Sequence, residues 1–173
     1  MSTLELKELS HPSGEVIKIA AGKTLDLKTQ GSVTMPTGSV LQVVSGTNTT
    51  AATYSTTSWV DTNLSLTITP SSTSSRIHLQ FVFQDLDLGP APSGCSFRFL
   101  RDSTSLFTPT ANYSEYANQG SNHRTSSNIA IDSPSTTSSI TYKVQIACYH
   151  TTGVVINASG NYKDTFIAQE IQG

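Results

Sequence analysis

The chain has 173 residues, of which 13% are charged, and its 10 basic and 12 acidic residues give a formal net charge of -2. Neither sign is clustered, which argues against nucleic acid or an anionic membrane surface as a partner. Apolar runs are too short to span a membrane, and the start MSTLELKELSHPSGE lacks the basic end and apolar run of a secretion signal, so we expect no membrane insertion and no export by that route.

The first predicted elements are four short strands between Gly14 and Gly46, in a stretch that repeats every eight residues. Each unit has a turn, usually with glycine, followed by two apolar residues that are separated by one polar residue. This spacing is the period-two pattern of a strand. A fixed period of this kind is typical of stacked or fibrous structures. The apolar columns of the repeat are Ile17, Leu25, Val33 and Leu41, and Ile19, Leu27, Met35 and Val43.

These thin strands predict an intertwined, trimeric stem. Ordering eight backbone residues costs roughly 8–16 kcal/mol, whereas burying two aliphatic side chains returns about 3–6 kcal/mol. One chain therefore lacks the apolar surface to order the repeat, and three copies are the smallest closed bundle around an axis. An ordinary β-meander is the alternative. The predicted domains are an attachment segment over 1–13, the stem over 14–46 and a head over 47–173.

After the repeat, longer strands with alternating apolar residues follow, separated by turn-rich segments such as TPSSTSS and DSPSTTSS. They predict an all-β chain whose head is a β-sandwich, and specifically a jelly roll. We expect the last of them to lie inside a sheet or a subunit interface. The predicted strands are Tyr54–Asp61, Leu64–Thr69, Arg76–Gln84, Cys95–Arg101, Asn128–Asp132, Ile140–Tyr149, Gly153–Asn157 and Thr165–Ile171.

One interval, from Thr108 to Ser127, is long, polar and without periodicity. Long loops in compact domains are usually functional or disordered, and Tyr, Asn, Ser and Gly are the residues that adaptable recognition surfaces use. A solvated loop without a ligand is the alternative. The candidate receptor-contact residues of this loop are Asn112, Tyr113, Tyr116, Asn122, His123 and Arg124.

Motifs for catalysis, metals or cofactors are weak in this sequence. Cys95 and Cys148 share strand parity with apolar neighbours, which favours buried thiols and leaves a disulfide open. Asp85 and Asp87 lie close together at a predicted strand end but lack a third acidic ligand for calcium. The GKT at Gly22 leads into a strand and not a helix, so we reject a phosphate loop. We therefore expect no catalytic residues, no metal, no cofactor and no enzyme activity.

Four phrases of the sequence carry a family resemblance. The segments ELSHPSGEVIKIAAGKTLDLKTQGSVTMPTGSVLQVV, STTSWVDTNLSLTITPSSTSSRIHL, DSPSTTSSITYKVQIA and FIAQEIQG resemble virion fibre and knob proteins of marine tailed phages, particularly those that infect cyanobacteria. The C-terminal part also looks like a trimeric jelly roll of the tumour-necrosis-factor or complement-head kind. That second resemblance rests on the number and arrangement of strands.

The resemblance implies a structural protein of a phage particle, located in the virion and assembled in the host cytoplasm. It implies a homotrimeric appendage that contacts other virion proteins through its N-terminal segment and host-surface glycan or protein through its head. A compact knob, a fibre tip and a capsid decoration fit equally well, because only about thirteen residues precede the repeat. A tail-assembly protein without receptor binding and a glycan-cleaving spike also stay open.

Overall fold

The computed structural model describes residues 21–22, 35–111 and 113–173, and residues 35–173 belong to one compact unit. The alternating apolar residues of this part form eleven strands, and its described residues contain no helix. The strands are β1 (Val40–Asn48), β2 (Ala52–Tyr54), β3 (Val60–Ile68), β4 (Arg76–Asp87), β5 (Ser93–Arg101), β6 (Thr104–Ser105), β7 (Glu115–Ala117), β8 (His123–Asp132), β9 (Ile140–Cys148), β10 (Val154–Ile156) and β11 (Asp164–Ile171).

The strands form two sheets with antiparallel neighbours. Sheet A has the order β1-β11-β4-β10-β2, and β8 pairs with the side of β4 opposite β11. Sheet B has the order β3-β9-β5-β6, with β7 also paired to β5. The prediction of an all-β sandwich is confirmed for the described residues, and the arrangement is consistent with a jelly roll.

The core lies between the two sheets because alternate residues of each long strand face inward. A group of phenylalanines fills its centre, with Phe81 and Phe83 on β4 opposite Phe97 on β5. Their ring centroids are 4.9 to 5.3 Å apart, and the rings are tilted or edge-on, as aromatic pairs prefer. Packing of this kind fixes the relative position of the two sheets and of the loops that they carry.

Two strand predictions need correction. The predicted strand Tyr54–Asp61 is interrupted: β2 ends at Tyr54 and β3 begins at Val60. Between them, the Thr56 carbonyl turns to accept a hydrogen bond from the Cys148 amide at 2.8 Å. The predicted loop from Thr108 to Ser127 is also partly wrong, because it contains β7 and the first half of β8.

The predicted stem overlaps the sandwich. Residues 40–46 belong to β1, which pairs with β11 along its length and packs Val44 against the core, so the predicted boundary between 46 and 47 falls inside a strand. Of the predicted stem residues, Met35 and Val43 are exposed and Leu41 is half-buried. The remaining ones, Ile17, Ile19, Leu25, Leu27 and Val33, lie outside the described residues.

The cysteines and the last strand lie where the sequence predicted. Cys95 and Cys148 are both buried and face each other across β5 and β9. Cys148 donates its thiol hydrogen to the Tyr54 carbonyl at 3.2 Å, and burial raises the pKa of both thiols. The final strand β11 lies in the interior of sheet A, between β1 and β4.

Candidate functional site

Three exposed tyrosines form a cluster at one end of sheet B, which we call the tyrosine cluster: Tyr113, Tyr116 and Tyr149. Their exposed fractions are 54%, 41% and 39%. The ring centroids are 5.5 to 6.5 Å apart, and each pair of rings is close to perpendicular. The three rings line a concavity of about 220 Å³. Because aromatic rings attract one another in edge-to-face geometry, the three rings favour this arrangement and form one aromatic surface.

Gly94 on β5 brings two of these rings together. It pairs with Tyr116 of β7 on one side, and its carbonyl accepts the Tyr149 amide hydrogen at 2.8 Å on the other. Directly opposed residues point to the same face of a sheet, so the two tyrosine rings meet over the glycine. A Cβ at Gly94 would lie 2.5 Å from the Glu115 carbonyl oxygen, closer than real contacts allow. The cluster therefore requires glycine at this position.

The loop that carries Tyr113 is attached to β5 by hydrogen bonds on both sides of the tyrosine. Buried Ser96 donates its hydroxyl to the Ala111 carbonyl at 2.8 Å and accepts the Ser114 amide hydrogen at 3.0 Å. Ser114 donates its own hydroxyl to the Cys95 carbonyl at 3.2 Å. These bonds position Tyr113 against the other two rings.

The remaining predicted residues form a separate polar group at the start of β8. His123 Nδ1 lies 2.7 Å from Asp85 Oδ1, and the second oxygen of Asp85 accepts the Ser159 amide hydrogen at 2.8 Å. The Asp85 hydrogen bond raises the pKa of His123. Burial opposes ionisation of Asp85, but the bonds from His123 and Ser159 outweigh it and lower its pKa. Asp87 accepts the Ser121 hydroxyl at 2.8 Å.

Arg124 and Asn122 are engaged within the fold. Arg124 donates to the Asn122 side-chain oxygen at 3.0 Å, and its Nη1 lies 3.4 Å from Glu115 Oε2. Glu115 also accepts the Ser126 hydroxyl at 2.7 Å, which ties β7 of sheet B to β8 of sheet A. The Glu115 carboxylate is therefore committed to these internal partners, and the exposed face of β7 at this point is the ring of Tyr116.

The structure thus separates the six predicted contact residues. Tyr113 and Tyr116 are exposed in the tyrosine cluster, whereas Asn122, His123 and Arg124 hold β8 in place. Asn112 lies outside the described residues. Tyr149, the third ring of the cluster, is not among the predicted residues because it ends a predicted strand, far along the chain from the other two tyrosines.

The described part of the chain has neither a cluster of metal-ligating side chains nor a helix that could cross a membrane. Within the ranges 35–111 and 113–173, no three His, Cys, Asp or Glu side chains converge as metal ligands would. Asp85 and Asp87, considered above for calcium, bond to His123 and Ser121. No helix in the described part is long and apolar enough to cross a membrane.

Comparison with known proteins does not show a family for this chain. No family model matches the chain, and no curated protein does. Among solved structures, the chain is similar to the crystal structure of the infectious bursal disease virus VP2 subviral particle, with 12% sequence identity and a TM-score of 0.41. The match covers 87% of this chain and 42% of that one, so the chain spans less than half the length of that relative.

Proposed function

We propose that this chain is a non-enzymatic structural protein of a phage particle, a homotrimeric tail fibre or knob whose head contacts the host cell surface. The single observation that carries the contact is the exposed, mutually packed tyrosine cluster. Aromatic rings held in place provide contact area at low entropy cost. Three copies of a weak site on one trimer would add avidity, so that no deep pocket is needed in any chain.

Two features of the sequence support the other parts of this proposal. The octad repeat supports the trimer, since one copy of it lacks the apolar surface to order itself. The resemblance to marine phage fibre and knob proteins supports a place in the virion, with residues 1–13 contacting other virion proteins. The partner of the tyrosine cluster is a host-surface glycan or protein.

The test is binding of the fluorescently labelled full chain to a panel of candidate host cells. Replacing Tyr113, Tyr116 and Tyr149 together by alanine should lower cell binding at least about tenfold, the loss typical of removing interface aromatics. Tyr162→Ala is the matched control, because Tyr162 is exposed to a similar degree outside the cluster. Circular dichroism should show the same strand content in all variants. Equal binding by the triple variant and the control would overturn the contact role.

Point substitutions are a sharper test here than deletion of the predicted loop from Thr108 to Ser127. That deletion would remove β7 and half of β8, together with the bonds of Glu115 that join the sheets. If the wild-type chain binds no cell yet rebinds particles that lack it, a capsid decoration or tail-assembly role replaces the receptor role. Release of reducing sugar from host envelope polysaccharide would instead indicate a glycan-cleaving spike.

A further inference from the structure

The outward-facing side of sheet A is made of three rows of side chains that cross four strands. The register of β1, β11, β4 and β8 aligns the residues of each row. The rows are Val43–Gln169–His78–Ile131, Ser45–Ile167–Gln80–Ile129 and Thr47–Thr165–Val82–Ser127. We call these residues the A face. None of them is Asp, Glu, Lys or Arg, and Arg76 in the next row is the nearest charge on β4.

Large apolar side chains of the A face are exposed. Ile131, Ile129 and Val43 expose 67%, 63% and 57% of their surface, and Ile167 and Val82 are half-buried between them. When one side of a sheet faces water, the residues on that side are normally polar, and they alternate along each strand with the apolar residues of the core. Both isoleucines lie on β8, which pairs with no described strand other than β4. Exposed apolar residues on an edge strand are a template for association with another chain.

We infer that the A face is a contact surface between copies of this chain. This inference rests on the proposed homotrimer and assigns the surface through which the heads meet. Residues near a symmetry axis lie close to their own equivalents in the other copies, so a charge there would face a like charge. A surface of isoleucine, valine, hydroxyl and amide side chains avoids that repulsion and still loses apolar area from water.

The connection to the N-terminal part of the chain favours a second copy as the occupant. The octad repeat, whose apolar columns are predicted to need other copies for burial, runs into β1, and β1 is one border of the A face. Gly38 and Ser39, just before β1, are held by two backbone hydrogen bonds of 2.8 Å, from the Gly38 amide to the Gln172 carbonyl and from the Gln172 amide to the Ser39 carbonyl. In copies that associate through the repeat, only a few residues of each chain would separate that association from the A face.

The test measures whether the A face is covered in the full-length protein. Ile131→Cys places a reactive thiol on the A face, and Ser65→Cys places a matched one on the exposed outer side of sheet B. The native cysteines are buried, so the unsubstituted chain gives the background. We expect the maleimide reaction of Ile131→Cys to be at least about 100-fold slower than that of Ser65→Cys, with equal rates in denaturant.

Molar mass from light scattering on the same samples separates the outcomes. A trimer in which both thiols react equally fast would overturn the A face as a contact surface and leave the homotrimer standing. A wild-type protein with the mass of one chain would overturn both. A protected Ile131→Cys in a trimer supports both, and the same protection in an assembly of another size supports the A face and overturns the trimer.

Discussion

The outer sides of the two sheets differ in charge. Sheet A turns three carboxylates inward: Asp85, Asp164 and Glu170 are buried, while the three rows of the A face carry no formal charge. Sheet B places Asp61 and Lys143 on its outer side, where the two form an ion pair of 2.8 Å. A charge inside a fold must have its hydrogen-bonding needs met by fixed partners, whereas a charge in water is solvated anyway.

The outer side of sheet B carries a polar network centred on Asp61 and Gln145. Asp61 accepts hydrogen bonds from Lys143 and from Gln145, and the Gln145 side-chain oxygen in turn accepts two from Arg98. The guanidinium of Arg98 lies 4.6 Å from the ring centre of Trp59. The side chains of this network bond to one another within sheet B, whereas the A face exposes Ile129, Ile131 and Val43. This difference supports the proposal that copies of the chain meet through the A face.

Removal of a buried carboxylate of sheet A should have the largest effect on stability. Glu170 is fully buried, and its Oε1 accepts hydrogen bonds from the Ser71 amide, the Ser71 hydroxyl and the Ser75 hydroxyl at 2.6 to 2.7 Å. Its Oε2 accepts one from Gln42 at 2.6 Å. Glu170→Ala leaves these donors unsatisfied, and we expect it to lower the free energy of unfolding by about 3–5 kcal/mol.

Urea denaturation at one fixed protein concentration measures this change, because the stability of an assembly depends on concentration. Glu170→Gln is the matched control: it keeps the size of the side chain and one oxygen acceptor, so its loss should be smaller. A loss below about 1 kcal/mol for Glu170→Ala would show that the inward carboxylates of sheet A contribute no more than exposed ones.

A smaller effect should come from the pH dependence of the His123–Asp85 pair. His123 has its pKa raised above 6.5 in the fold, so its contribution is complete below pH 6.5 and is lost as the pH rises through the folded value. Asp85 has its pKa lowered below 3.8, so its contribution is present above pH 3.8 and is lost at lower pH. The pair should therefore stabilise the fold most between pH 3.8 and 6.5.

The melting temperatures of the wild type and His123→Asn, compared from pH 5 to pH 9, check this expectation. Asparagine can still donate to Asp85 but does not titrate, and every other titrating group is common to both proteins. The wild type should exceed the variant by more at pH 5.5 than at pH 8.5, by a small amount because His123 is more than half exposed. A difference that stays constant with pH would mean that the charge of His123 adds nothing.

The sequence predicted the strands whose inward residues are apolar and failed where those residues are polar. Phe81, Phe97 and Phe166 each belong to a row of apolar residues at every second position, and their strands were predicted to within three residues at each end. The first half of β8 turns Arg124 and Ser126 inward, where Glu115 of β7 binds both, and this removes the apolar alternation that predicts a strand. The partner of these residues belongs to the other sheet and cannot be deduced from local pattern.

The tyrosine cluster was predictable only in part, for a related reason. Tyr113 and Tyr116 were predicted as candidate contact residues because they lie in a polar, aperiodic segment. Tyr149 joins them through the pairing of both β7 and the end of β9 with Gly94, which local pattern does not reveal. The A face could not be predicted either, since it depends on the register of four strands and not on any one of them.

The smallest effect should come from the outward ion pair of sheet B. Lys143 and Asp61 are each more than a third exposed, so water competes for both charges and salt screens their attraction. A double-mutant cycle of Lys143→Ala and Asp61→Ala should give a coupling energy of about 0.2–1 kcal/mol, decreasing at high salt. The cycle removes the separate loss of the Gln145 hydrogen bond to Asp61, which occurs in both backgrounds. A coupling above about 2 kcal/mol would match the inward carboxylates, and the two sheets would then not differ in how much their charges stabilise the fold.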